Sequence, residues 1–264
     1  MPLTVGSLFS GIGGLDLGLE RAGMTVRWQV EIDPYCRKVL AKHWPDVECY
    51  EDVREVGARN LEPVDLICGG FPCQPVSCAG QRKGTDDERW LWPEFHRLIR
   101  ELEPRWVLGE NVPGLLSIDA GRVFGGILRD LAASGYDAEW DCIPAAAVGA
   151  PHFRNRVFLI ATPNDVVHVD GSGLQRAHDA AWRKHLQSVA EHLAEHIWDT
   201  TPRVCGRDDR LSYRMERIRA LGNAVVPQVA EWIGRRIVEA DKQATEGRDE
   251  MDHSDSHAAV PRAN

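Results

Sequence analysis

Three kinds of reactive side chain stand where an α/β sheet presents its working edge. Pro-Cys-Gln-Pro at 72–75 follows the apolar run 64–71, so Cys73 falls on a loop at the carboxyl end of a strand, held between two prolines. Val107-Leu108-Gly109 leads into Glu110-Asn111-Val112, and Arg154-Asn155-Arg156 opens the run 157–161. A thiol, a carboxylate and an arginine pair, each at a strand terminus, read as one active site. A thiolate is a strong nucleophile when cationic neighbours lower its pKa. Each group also has a plainer reading. Free cysteines are mostly buried packing residues, a glutamate can cap a helix, and two arginines on one face of a strand can form a salt-bridged edge.

A second set suits a ligand. Gly11-x-Gly13-Gly14 follows a strand, and glycine lets backbone approach a ligand without a Cβ in the way. Glu31 comes 20 residues after Gly11, at the end of the next strand, and matches the acidic residue that holds a ribose in Rossmann-type sites. Together they point to a nucleoside-bearing cofactor. Asp52, after the strand segment 47–50, can accept from an adenine amino group or be an ordinary surface aspartate.

These positions require a particular scaffold. Strands at 3–9, 26–30, 64–68 and 105–109 alternate with helices at 15–23, 93–102 and 122–133, and further strands lie near 138–143 and 156–161. Asp33-Pro34 opens another helix, with Asp33 as N-cap and Pro34 at the first helical position. This alternation predicts an α/β fold, a mostly parallel sheet with helices on both faces. The pattern breaks after Thr162-Pro163. Residues 163–176 read as a loop, and 177–198 as an amphipathic helix with Trp182, Leu186, Val189, Leu193 and Ile197 on one stripe. Polar sequence follows at 199–212, then a helix at 227–241 and a charged tail expected to be disordered. The domain reading is therefore 1–162 with 211–241 as a catalytic body, 163–210 as a small recognition region, and 242–264 as the tail.

Composition narrows the classes. With 264 residues and 43% hydrophobic content the chain suits a globular protein. No apolar run approaches the roughly 20 residues that span a bilayer, and no basic segment precedes an apolar one at the N-terminus. Seven cysteines without paired C-x-x-C spacing fit a reducing compartment rather than a disulfide scaffold or zinc site. The expectations are a cytoplasmic monomer with no metal and no membrane. The net charge of −9 is unevenly spread. Residues 151–236 hold 13 Lys/Arg against 10 Asp/Glu and form the one basic stretch, with arginines clustered at 203–219. It is either a solvated surface or a grip for an anionic polymer.

The motifs taken in order resemble a DNA (cytosine-5) methyltransferase. Ser-Leu-Phe-Ser-Gly-Ile-Gly-Gly at 7–14, Glu-Ile-Asp at 31–33, Asp-Val at 52–53 and Gly-Phe-Pro-Cys-Gln-Pro at 70–75 are followed by Glu-Asn-Val at 110–112, Arg-Asn-Arg at 154–156 and Gly-Asn-Ala-Val-Val-Pro at 222–227. The resemblance implies the Rossmann-like fold of S-adenosylmethionine-dependent methyltransferases. It implies Cys73 as nucleophile toward cytosine C6, Glu110 at N3 and the amino group, and Arg154 and Arg156 orienting the base through O2 and phosphate contacts. It implies S-adenosyl-L-methionine over the glycine loop, with Phe9 stacked on adenine, Glu31 on the ribose and Asp52 on the adenine amino group. Ser10, Gly11, Gly13, Ile32, Val53, Pro72 and Leu91 would line that site, and Asn223 with Ala224 would close its methionine end. Duplex DNA would meet Gln74, Ser77 and Arg82 beside the thiol and Arg203, Arg207 and Arg210 in the short recognition region. A cognate restriction endonuclease would be a further partner.

The chain departs from that pattern in places. His152 stands where the arginine motif usually begins with Gln, the loop before Gly222 is short, and about 48 residues are left for target recognition. Three other readings compete: an RNA cytosine methyltransferase, a catalytically idle DNA-binding protein, and a Rossmann oxidoreductase. The Pro-Cys-Gln-Pro form favours DNA, the presence of Cys73 and Glu110 favours an active enzyme, and the incomplete G-x-G-x-x-G disfavours the oxidoreductase.

Overall fold

The computed structural model describes residues 1–72, 90–164 and 214–257. Seven strands form one sheet in the order β3-β2-β1-β4-β5-β7-β6. They are β1 (Thr4–Leu8), β2 (Thr25–Val30), β3 (Glu48–Tyr50), β4 (Leu66–Gly69), β5 (Trp106–Asn111), β6 (Tyr136–Pro144) and β7 (Asn155–Pro163). Strands β1 to β5 pair in parallel, whereas β7 runs antiparallel to both β5 and β6. The order reverses between β1 and β4, and open α/β sheets bind ligands at the carboxyl ends of strands beside such a reversal. The mostly parallel α/β sheet is as expected.

The side-chain period of two sends alternate residues of each central strand to opposite faces. Leu66 and Cys68 of β4, with Trp106 and Leu108 of β5, join one apolar cluster; Ile67 and Val107 join the other. The first cluster is covered by α1 (Gly14–Arg21) and the C-terminal helix α6 (Pro227–His257). The second is covered by α3 (Trp92–Leu102) and α4 (Arg122–Ala133). Helix α2 (Pro34–His43) begins as the sequence predicts, with Asp33 Oδ1 accepting from the backbone N–H of Tyr35 (2.8 Å) and Cys36 (3.2 Å) and with Pro34 in the first turn.

Helices α1 and α6 touch through glycines. A Cβ on Gly18 would lie 2.4 Å from both the Ala230 Cβ and the Pro227 carbonyl oxygen, and one on Gly234 would lie 2.8 Å from the Ala22 Cβ. The backbones therefore approach as closely as backbone allows. This contact carries residues 224–226 back over the start of α1, where Gly14 faces the Val225 carbonyl.

Two elements differ from expectation. A helix α5 (Arg214–Asn223) precedes α6, where the sequence pattern announces none. Helix α6 also continues through His257, so the tail expected to be disordered from 242 is helical that far. Asp241 anchors the extension by accepting from Trp106 Nε1 (3.0 Å) and pairing with Arg105, and Ala244 is buried a turn later. Lys242, Gln243, Ala244, Glu246 and Arg248 are good helix formers, so nothing stops the turn at 241. Among the described residues no helix is long and apolar enough to cross a membrane. The expected recognition region falls almost wholly outside the described residues, and with it the 177–198 helix.

Candidate active site

The carboxyl ends of β1, β2, β4 and β5 open onto a cavity of about 560 Å³. Its walls bring together Phe9, Ser10, Gly11, Glu31, Ile32, Asp52, Val53, Pro72, Leu91, Glu110, Arg156, Asn223 and Ala224, all of them expected site residues. Two expected residues stand elsewhere. Gly13 (φ 81°) starts α1 and leaves room for the Trp44 ring, which a Cβ there would meet at 2.4 Å, so its glycine serves packing. Arg154 lies just ahead of β7 and does not line the cavity. Cys73, Gln74, Ser77, Arg82, Arg203, Arg207 and Arg210 lie outside the described residues.

At one end the β1–α1 turn is tied to the β2 end. Phe9 takes a left-handed conformation (φ 52°), uncommon for a non-glycine residue, and its ring meets Phe95 edge to face. Ser10 donates its N–H to the Val30 carbonyl (3.1 Å) and its hydroxyl to the Ser7 carbonyl (3.0 Å). Glu31 is buried, and its two oxygens accept from the N–H of Gly11 and of Asp33, both at 2.7 Å. Burial raises this carboxyl above its ordinary pKa, against the pull of those N–H groups. A Cβ on Gly11 would meet nothing within 4 Å, so the space over the turn is open to a ligand. Ile32 keeps 60% of its surface exposed on this wall. Asp52 caps a short 3-10 turn by accepting from the Arg54 N–H (3.0 Å). Across the mouth, Arg219 of α5 pairs with Asp33.

At the other end, Glu110 and Asn111 are the last residues of β5, inside the strand rather than beyond it, and Glu110 caps none of the described helices. Glu110 is 8% exposed. Burial pushes its carboxyl up to about 7, with Arg156 and then Arg154 opposing the shift. Arg156 Nε lies 3.0 Å from Glu110 Oε1, an ion pair without the alignment of a hydrogen bond. Gly70 makes room for this carboxylate: a Cβ there would stand 2.8 Å from Glu110 Oε2. Arg154 donates from Nη1 to the Gly222 carbonyl (2.6 Å), tying the entry of β7 to the end of α5. Its Nε and Nη2 are buried with no hydrogen-bond partner among the described residues. Burial, then the charge of Arg156, lowers its pKa.

Two groups make bonds with no clear mark in the sequence. Asn111 donates from Nδ2 to the Phe71 carbonyl (2.9 Å); its place in the Glu-Asn-Val motif marks the position but not this bond. Asp16, wholly buried, accepts from Ser7 Oγ (3.0 Å) and Gln29 Nε2 (2.7 Å) and ties β1, α1 and β2 together beneath the turn. No periodicity marks such a network, because a buried Asp in a first helical turn looks like any N-terminal acid.

Comparison with known proteins places this geometry. The profile of the family described as C-5 cytosine-specific DNA methylase matches residues 3–212. The type II methyltransferase M.NgoMIV of Neisseria gonorrhoeae is 30% identical over 92% of this chain and 99% of its own length. M2.BsuMI of Bacillus subtilis is 38% identical over 62% of this chain but only 44% of its own length, so the chain spans less than half of that relative. Among solved structures, a prophage-encoded E. coli protein described as a DNA modification methyltransferase is similar with a TM-score of 0.56 and 34% identity, over 65% of this chain and 50% of that one. Spodoptera frugiperda DNMT2 (a triple mutant) shares the fold at a TM-score of 0.61 and 15% identity, over 89% and 99%. With the profile covering most of its length and most of its described motif residues gathered around one cavity, this chain belongs to the C-5 cytosine-specific DNA methylase family.

Proposed function

We propose that this chain moves a methyl group from S-adenosyl-L-methionine to C5 of a cytosine rotated out of duplex DNA, with Cys73 as covalent nucleophile. The observation that carries the reading is Glu110, a buried carboxyl with a pKa near 7, paired with Arg156 and packed against Gly70, three residues before Cys73. A stacked base cannot reach such a pocket, so it has to be extruded. The thiolate of Cys73 adds to C6 and pushes an electron pair toward C5, while Glu110 passes its proton to N3. A carboxyl that titrates near neutrality suits both halves of that exchange.

Bound S-adenosylmethionine supplies an electrophilic methyl group. C5 takes up the methyl with its own electron pair, the broken methyl–sulfur bond leaving its pair on the thioether that departs, and C5 then loses its proton to solvent base. The sulfur–C6 bond breaks with its electron pair returning to Cys73, and N3 returns its proton to Glu110. The Nε and Nη2 of Arg154, without a hydrogen-bond partner among the described residues, are donors suited to a phosphate or to O2 of the base.

The cavity suits the cofactor by its chemistry. Glu31 offers a carboxylate to ribose hydroxyls beside the open Gly11 turn, and Ile32 offers apolar surface that an adenine ring would cover. Asp52 would take the adenine amino group, and Asn223 and Ala224 the methionine end. Duplex DNA is the substrate, and a cognate restriction endonuclease is the partner that type II relatives suggest.

The reading is tested with radiolabelled S-adenosylmethionine and duplex DNA. The label should appear on cytosine C5, and Cys73→Ser should abolish turnover while cofactor affinity stays near wild type. A duplex carrying 5-fluorocytosine should trap a covalent adduct, because fluorine does not leave as a proton does. Label on adenine or on cytosine N4 would sink the proposal.

A further inference from the structure

The parallel ladder between β4 and β5 ends at the pair Gly69–Gly109, one residue before Glu110 on β5 and four before Cys73 beyond β4. Beyond that pair the two backbones are held together by a side chain. Asn111, 5% exposed, donates from Nδ2 to the Phe71 carbonyl (2.9 Å) and accepts at Oδ1 from the Val112 N–H (2.9 Å). Both ends of the carboxamide are thus committed, which fixes its orientation. The Phe71 ring is gripped separately, by Trp90, Trp92 and Phe95 at centroid distances of 5.9, 5.3 and 6.0 Å.

We propose that Asn111 is a positioning residue for the methyl-transfer chemistry: its carboxamide stands in for a missing ladder rung and sets the Phe71-Pro72 peptide, and so the chain entering Cys73, relative to Glu110. This rests on the functional reading above. There Cys73 and Glu110 must address C6 and N3 of one pyrimidine ring, so their separation has little tolerance. The Phe71 carbonyl is the last backbone acceptor before Pro72, which has no N–H to offer a further rung. The clamp contributes no atom to the reaction and acts only through geometry.

Aspartate is nearly isosteric with asparagine, but ionised it cannot donate to the Phe71 carbonyl; protonated, it regains one donor. Asn111→Asp should lower kcat about a hundredfold at pH 8, the order of loss that a misplacement of about 1 Å produces. The affinity for S-adenosylmethionine, measured by calorimetry, should stay within about threefold of wild type and report an intact fold. The rate of adduct formation with 5-fluorocytosine duplex should fall in parallel with kcat. The ratio of Asn111→Asp to wild-type kcat should then rise as the pH is lowered from 8 to 6, because the neutral acid restores the donor. Asn111→Ala should be slow at every pH with a flat ratio.

A flat ratio for Asn111→Asp, or adduct formation at the wild-type rate in both variants, overturns the clamp. Absence of an adduct with the wild-type protein, at a site it methylates, instead overturns the covalent reading on which the clamp rests.

Discussion

Glu110 sits where a protein would not place a carboxylate for stability alone. Its pKa of about 7, against an ordinary 4.5, means that ionising it costs the folded state. A raised carboxyl contributes stability that is fully present below about 4.5 and is lost as the pH climbs through about 7. Glu110→Gln removes that titration. Relative to wild type, the variant should therefore gain stability as the pH rises from 4.5 to 8, by up to about 3 kcal/mol at roughly 1.4 kcal/mol per unit. Chemical denaturation across that range checks it, and a pH-independent difference between the two proteins would show that Glu110 is not held neutral. Methyl transfer should be lost in the same variant, as expected of a group whose strain serves the reaction. Asp16, pushed up to about 6 by burial, adds a second contribution of the same sign and must be present unchanged in both proteins.

At the level of elements, the glycines separate packing from freedom. Gly18 of α1 faces Ala230 and the Pro227 carbonyl, whereas a Cβ on Gly125 of α4 would meet nothing within 4 Å. Gly18→Ala should force α1 and α6 apart and cost about 1–3 kcal/mol. It should also weaken cofactor affinity, because α6 holds Val225 at the cavity wall. Gly125→Ala should be neutral or stabilising by up to about 1 kcal/mol. Unfolding midpoints measured side by side would contradict the packing account if both changes moved stability the same way.

These elements also show what the amino-acid order makes legible. The start of α2 is readable because Asp33-Pro34 is a local signal, and its caps form as expected. The strand end carrying Glu31 is readable because an alternating run halts at a charged residue, and Glu110 is readable because the apolar run 107–109 meets a carboxylate, although β5 continues to Asn111. Strand direction is not: β6 and β7 look like any other alternating runs, and only their pairing makes them antiparallel. Helix α5 is hidden by its weak amphipathicity among arginines, although Gly222-Asn223 marks its end. Gly13 reads as a ligand contact because sequence cannot tell which way a missing Cβ points.

For the molecule as a whole, the basic part of the sequence lies beyond β7, in the segment proposed to carry recognition. Replacing Arg203, Arg207 and Arg210, which lie outside the described residues, by glutamine should weaken DNA binding and flatten its salt dependence. Each lost phosphate contact should reduce the log–log slope by about 0.9. If one of the three reads a guanine edge, its single variant should also relax the methylated consensus at one position. An unchanged slope with an unchanged consensus would move recognition to residues nearer the thiol.

The glycine contact between α1 and α6 also has a consequence in time. Phe9, Gly11 and Glu31 leave the ribosome long before Asn223 and Val225, yet all of them wall the same cavity. The segments that meet are about 200 positions apart in the chain, so closing this contact carries the entropy of a very long loop and belongs among the slow, late events of folding. A nascent chain therefore has no complete cavity until α6 docks. Once it has docked, a ligand that spans both ends acts as a latch, adding its own binding free energy to a closure that the polypeptide reaches last.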